Sequence, residues 1–216
     1  LKISYFLGYE FASVRRIIKI DSIMQKTIIL IPSRMSASRL PGKPLLKIND
    51  LPIISHVVNK AKKTKIGRVV VCTEDEEIFK EVIKNDGEAV LTSNQHKTGT
   101  DRIFEALKKL EVDDVDYVLN LQGDEPNIDE KDIVNLNTSM INSNSDIGTL
   151  ASKIKDNSIY LNENVVKVVL KEKLSNINFP CALNFVRKKT LNDYENIYHH
   201  IGIYIYKREY FREICK

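Results

Sequence analysis

At 216 residues the chain is long enough for one large domain, or one domain with an appendage, at ~150 residues per domain. Its 43% hydrophobic and 29% charged residues belong to a folded globular protein, which excludes a disordered tail, a collagen-like rod and a disulfide-stapled miniprotein. The 33 Lys and Arg against 29 Asp and Glu give a net charge of +4, an excess that suits small anionic ligands but falls short of a nucleic-acid footprint, so no nucleic-acid partner is expected.

Cys72, Cys181 and Cys215 stand far apart without a CxxC pair, the usage expected of reduced thiols in a cytoplasmic protein. No apolar run approaches the ~20 residues that span a bilayer, so no membrane insertion is expected.

In chain order, Leu7, Phe11, Val14 and Ile18 fall at helical spacing with Arg15, Arg16 and Lys19 between them, the pattern of a short basic amphipathic helix. The competing expectation is that residues 1–23, ahead of Met24, are an N-terminal extension without a role. Glu10 and Asp21 argue against a transit peptide. From Thr27 the pattern alternates. Ile28 to Ile31 is a doubly buried strand, followed by a polar loop from Ser33 to Lys43. Pro52 opens a helix with the stripe Ile53, Ile54, Val57, Val58 and Ala61, and Arg68 to Thr73 is the second strand. Asp75 is placed to cap a helix carrying Ile78, Phe79, Val82 and Ile83, and Glu88 to Leu91 forms the third strand.

After the loop Thr92 to Thr98, a helix presents Ile103, Phe104, Leu107 and Leu110, and Val115 to Leu121 is the fourth strand. Another helix carries Ile133, Leu136, Met140 and Ile141. Four β-then-α units in succession predict an α/β fold, a mostly parallel sheet with helices on both faces. Beyond residue 146, Ile147 to Ile154, Val165 to Leu170, Ala182 to Val186 and Ile201 to Tyr206 read as strands with few helices between, a smaller part of antiparallel character.

Ligands of open α/β sheets sit outside the carboxyl ends of the strands, which directs attention to three loops. The first, Ser33 to Lys43, carries Arg34, Arg39 and Lys43 with several hydroxyls and Gly42, a composition suited to a polyphosphate. The bland alternative is a solvated basic loop, and neither GxxxxGK[ST] nor GxGxxG is present. The fourth-strand loop puts Asp124 beside Glu125 and Pro126, where a carboxylate can hold Mg²⁺ against substrate phosphates or simply cap a turn. Between them, Gln95 to Arg102 places small and hydroxylated residues at a helix start, either an anion or base-edge site or a helix capped by Thr98 or Thr100. His199 and His200 lack the companions of a zinc site and read by themselves as structural.

Five runs together resemble a known family: Ile31-Pro32-Ser33-Arg34, Arg39-Leu40-Pro41-Gly42-Lys43-Pro44-Leu45, Gly99-Thr100-Asp101-Arg102, Leu121-Gln122-Gly123-Asp124-Glu125-Pro126 and His200-Ile201-Gly202-Ile203-Tyr204. In order and spacing they are similar to the 3-deoxy-manno-octulosonate (Kdo) cytidylyltransferases, from about Lys26 to about Ile214. The resemblance implies a Rossmann-like fold of the nucleotide-diphospho-sugar transferase type. It divides the chain into a CTP-binding part over 24–145 and a sugar-binding and dimerisation part over 146–216. It implies formation of CMP-Kdo and pyrophosphate from CTP and Kdo with Mg²⁺, in a cytoplasmic homodimer serving lipopolysaccharide synthesis.

Carried over by position, the resemblance makes Arg34, Lys43 and Asp124 the catalytic set, with Asp124 the metal ligand. Arg34, Arg39, Lys43, His96, Thr98, Gly99, Thr100 and Arg102 would bind CTP, the last five on the cytosine side. Gln122, Arg187, His200 and Tyr204 would bind Kdo. Ala37, Gln95, Lys97 and Val186 depart from the family pattern. The chain stops at Lys216 inside a helix, ahead of the run that supplies the family's second metal carboxylate, so a C-terminal truncation is expected. The alternatives are a remnant that binds nucleotide without turnover, and a cytidylyltransferase for another acidic sugar such as sialic acid.

Overall fold

A computed structural model describes residues 3–7, 27–36, 40–175, 178–187 and 195–215. Two compact units are present: Lys19–Val134 with Tyr206–Lys216, and Leu1–Ile18 with Asn135–Ile205.

The first unit is built on four parallel strands, β2 (Thr27–Ser33), β5 (Gly67–Thr73), β6 (Ala89–Leu91) and β7 (Tyr117–Asn120), in the spatial order β7-β2-β5-β6. All seven residues of β2 are buried, as a central strand covered on both faces requires. Helix α1 (Ile53–Lys63) connects β2 to β5, α2 (Glu76–Lys84) connects β5 to β6, and α3 (Gly99–Lys109) crosses back to β7. Right-handed crossovers put α1 and α2 on one face and α3 on the other. Successive strands are therefore added in opposite directions on either side of β2, which makes the carboxyl ends of β2 and β7 the topological switch point.

The expected stripe on α1 is buried throughout, at Ile53, Ile54, Val57, Val58 and Ala61. On α2 only Ile78 and Val82 enter the core; Ile83 is 48% exposed. On α3 the inner face holds Ile103, Ala106 and Leu107, with Phe104 half-buried against Phe211 of the C-terminal helix Arg208–Ile214. A short hairpin that sequence periodicity did not suggest joins β3 (Lys47–Ile48) to β4 (Leu51–Pro52). Its turn residues, Asn49 at φ 49° and Asp50 at φ 63°, are types that tolerate the left-handed region.

The second unit contains β1 (Ile3–Leu7), β8 (Ile147–Ser152), β9 (Lys167–Leu170), β10 (Ala182–Val186) and β11 (Ile197–Lys207). The antiparallel character expected here holds for β9 against both β10 and β11. Strand β1, however, pairs in parallel with β8, so Leu7 belongs to a strand and not to an amphipathic helix. Phe11, Val14 and Ile18 lie outside the described residues. Ala151, Val168, Leu170, Leu174 and Tyr198 form a core cluster in this unit. Lys167 is fully buried, its ammonium donating to the carbonyls of Asn162 (2.7 Å), Val165 (3.0 Å) and Arg187 (3.1 Å). Those three acceptors take all three of its protons, which is how a charge survives burial.

No helix among the described residues is long and apolar enough to cross a membrane. Cys72, Cys181 and Cys215 are all free thiols.

Candidate active site

A cavity of about 580 Å³ opens at the switch point, lined from the loop after β2, the start of α3 and the loop after β7. Its polar groups come from Ser33, Arg34, Lys43, His96, Thr98 and Asp124, with Gly99, Arg102, Gln122 and Gly123 completing the wall.

The first loop is anchored at Met35. Its amide donates to Asp75 Oδ2 at 2.8 Å, and its carbonyl accepts from Gly42 N at 3.0 Å. Asp75 does occupy the N-cap position of α2, but its side chain makes no capping bond; the carboxylate is diverted to the loop after β2. Gly42 has φ +74°, a conformation that favours glycine, and it starts the 3-10 turn Lys43–Leu45. That turn aims Lys43 at Asp124, and Lys43 Nζ donates to Asp124 Oδ2 at 2.8 Å. The pair is partly exposed, so it contributes little stability and can exchange partners cheaply. Arg34 is exposed on the same loop, and Arg39 lies outside the described residues. Ser33 Oγ is buried without a hydrogen-bond partner among the described residues, an orphan donor on the cavity wall.

Gly123 follows β7 so closely that an added Cβ would stand 3.0 Å from Pro32 O and 3.1 Å from Ile54 Cδ1. This close approach sets the height of Asp124 above the sheet. Next to it, Glu125 has its carboxyl pushed up by burial and by the Asp124 charge, with Lys43 opposing.

On the far wall, Thr98 caps α3, its Oγ1 accepting from Asp101 N at 3.1 Å; Thr100 lies in the first turn and is not part of the lining. Arg102 is only 2% exposed. Its guanidinium pairs with Glu74 and donates to Thr92 Oγ1 at 2.6 Å and Ser93 O at 3.3 Å, so its charge is committed to shaping the wall. His96 is held through Nε2 by Glu105, which also accepts from Ser93 N (2.9 Å) and Lys109 (2.7 Å). Burial raises the Glu105 pKa, but the bonds from Lys109, His96 and Ser93 outweigh it and hold the group at about 2. The sequence pointed to Asp75 only as a helix cap and gave no role to Glu74 or Glu105, although Glu105 carries a signal in its i,i+4 spacing to Lys109.

Arg187, His200 and Tyr204 belong to the second unit. Arg187 Nη1 donates to Asn164 O at 3.1 Å. His200 lies between the rings of Phe185 (centroids 5.1 Å) and Tyr204 (5.4 Å), buried on β11. Burial and the neighbouring His199 charge lower His200 to about 4, and burial raises the Tyr204 hydroxyl.

For Mg²⁺ the donor chemistry fits: Asp124 is a hard oxygen ligand, 50% exposed at the cavity edge. No cluster of three or more His, Cys, Asp or Glu suited to a metal occurs among the described residues. An ion held here would take its remaining ligands from phosphate and water, the usual habit of Mg²⁺ in nucleotide sites.

A parallel sheet in the order β7-β2-β5-β6, with a cation-lined cavity at its switch point, defines a nucleotide-binding α/β transferase. The profile of the cytidylyltransferase family matches residues 28–216. The 3-deoxy-manno-octulosonate cytidylyltransferase of Afipia carboxidovorans is 45% identical over 183 residues, 84% of this chain and 73% of that protein. The enzyme of the same name from Brucella ovis is 41% identical over 192 residues, 88% of this chain and 76% of that one. A solved CMP:2-keto-3-deoxy-manno-octonic acid synthetase complexed with CTP superposes with TM-score 0.77 at 34% identity, covering 88% of this chain and 77% of that one. The chain belongs to the cytidylyltransferase family, among the 3-deoxy-manno-octulosonate cytidylyltransferases.

Proposed function

We propose that the protein forms CMP-Kdo and pyrophosphate from CTP and Kdo. The observation that carries this reading is the pairing of Lys43 with Asp124 beside Arg34 at the switch point, in a chain so similar to named Kdo cytidylyltransferases. The anomeric hydroxyl oxygen of Kdo forms the new bond to the α-phosphorus of CTP. The bond from that phosphorus to the bridging oxygen breaks, pyrophosphate leaves with the electron pair, and the hydroxyl proton passes to water.

Transfer at phosphorus is largely positioning and charge neutralisation, so no protein nucleophile is called for. Arg34 offers a guanidinium fork to phosphate oxygens, and Lys43 turns from Asp124 towards the arriving triphosphate. The unpartnered Ser33 hydroxyl donates to a further oxygen. Asp124 would hold Mg²⁺, which when bound neutralises phosphate charge and favours pyrophosphate as leaving group. His96, fixed by Glu105, and the amide end of α3 serve the cytosine side. Gln122, Arg187, His200 and Tyr204 are assigned to Kdo, with Arg187 facing its carboxylate. The reading extends to a cytoplasmic homodimer that supplies activated Kdo for lipopolysaccharide.

The test is pyrophosphate release from CTP and Mg²⁺ with Kdo, run in parallel with sialic acid. Release with Kdo alone is expected, and none at high enzyme concentration overturns the reading. Asp124→Asn should lower the rate at least ~100-fold; an unchanged rate removes Asp124 from the metal role.

A further inference from the structure

Thr149, at the middle of β8, is fully buried, and its hydroxyl meets three groups. Ile203 O lies at 2.6 Å, Ile201 O at 3.2 Å and His200 Nε2 at 3.1 Å. A hydroxyl has one proton and two lone pairs. The shortest contact runs to a carbonyl, which can only accept, so the Thr149 proton goes to Ile203 O. What Oγ1 offers His200 is then a lone pair, and Nε2 must carry the ring proton. In a neutral imidazole this leaves Nδ1 as an acceptor.

The surroundings keep the ring neutral and in place. It is 9% exposed, with Phe185 edge-on and Tyr204 tilted against it. The charge that opposes a proton on His200 is that of His199, its neighbour on the strand, and His199 is itself opposed by Lys167, its partner in register on β9. No hydrogen bond reaches Nδ1 among the described residues. Of the two ring nitrogens, Nε2 is satisfied by Thr149.

We propose that Thr149 is a positioning residue of the sugar site, holding His200 as the Nε2–H tautomer so that Nδ1 accepts a hydrogen bond from a hydroxyl of the acidic sugar. This rests on the reading of His200 as a sugar contact. A neutral acceptor selects a hydroxyl donor and leaves the sugar carboxylate to Arg187, so the tautomer sorts the two ends of a polyhydroxy acid.

The test uses the full chain labelled with ¹⁵N-histidine. Long-range ¹H–¹⁵N spectra at pH 7 should show His200 protonated at Nε2 in the wild type, and finding Nδ1–H overturns the proposal whatever any variant does. Thr149→Val, of equal shape but without the hydroxyl, should populate the other tautomer and raise the Kdo KM about tenfold, the effect of one hydrogen bond. Its CTP KM should stay within about twofold, and Thr149→Ser should restore both readouts. If Thr149→Val keeps the tautomer and the Kdo KM while His200→Gln raises that KM, the proposal fails alone. If His200→Gln leaves the Kdo KM unchanged, the assignment of the sugar site fails and the proposal with it.

Discussion

One carboxylate on α3 braces the His96 side of the cavity. Glu105 accepts from the Ser93 amide, from His96 and from Lys109, and so ties the cavity-lining histidine to the loop before α3 and to the helix itself. Glu105→Gln keeps the volume but removes the charge that draws Lys109 and His96 together. We expect a loss of about 1–2 kcal/mol in urea denaturation, since bonds to charged groups are the stronger kind. The CTP KM should rise several-fold as His96 loosens, with the Kdo KM unmoved; an unchanged CTP KM would show that His96 needs no support. That Arg34, Lys43 and Asp124 meet at one cavity was legible in the sequence, because cations and a carboxylate follow strands whose carboxyl ends share a sheet edge. Glu105, Asp75 and Thr149 were not, because their roles depend on which distant atom they touch, and Asp75 reaches across 40 residues to Met35.

At the scale of elements, the site is a consequence of how tightly the loops after β2 and β7 meet. A Cβ added to Gly123 would stand 3.0 Å from Pro32 O, 3.1 Å from Ile54 Cδ1 and 3.3 Å from Ser33 Cβ, so the turn after β7 packs closely on the end of β2 and on α1. Gly123→Ala requires these neighbours to give by a few tenths of an ångström, and Pro32 O is backbone of a central strand. Overpacking of this kind costs about 1–3 kcal/mol, and a displacement of even ~1 Å at the phosphate site can lower kcat by about 100-fold. Stability and pyrophosphate release measured on the same preparation should both fall; a wild-type rate would mean that the height of the loop is not set at Gly123. The strands and helices of this unit were legible because period-2 and period-3.6 patterns report burial directly. Elements held by other means were harder to read. The hairpin of β3 and β4 rests on the Asn49-Asp50 turn and not on a periodic face, and β1 finds its place by pairing with β8, about 140 residues away.

For the molecule as a whole, the titrating groups set the direction of its acid response. His200, ordinarily near 6.5, is lowered to about 4 by burial and by His199, and His199 itself is lowered by burial and Lys167. A histidine depressed in the fold binds its proton more readily when unfolded, so stability rises with pH across the interval between the two values. The His200 contribution is complete above pH 6.5 and disappears as the pH falls to about 4, amounting to about 3 kcal/mol. Glu105 extends the loss below that, between its ordinary 4.5 and about 2. Glu125 and Asp132 act in the opposite sense, because burial raises both carboxyls and their contribution fades as pH rises. Urea midpoints taken from pH 8 to 4 should therefore decline mainly between 6.5 and 4. Replacing His200 by Gln removes the titrating ring while keeping a polar side chain, and the same limb should flatten relative to the wild type. An acid limb of unchanged steepness in His200→Gln would place the controlling proton elsewhere and remove the buried, neutral state of His200 from the account of its tautomer.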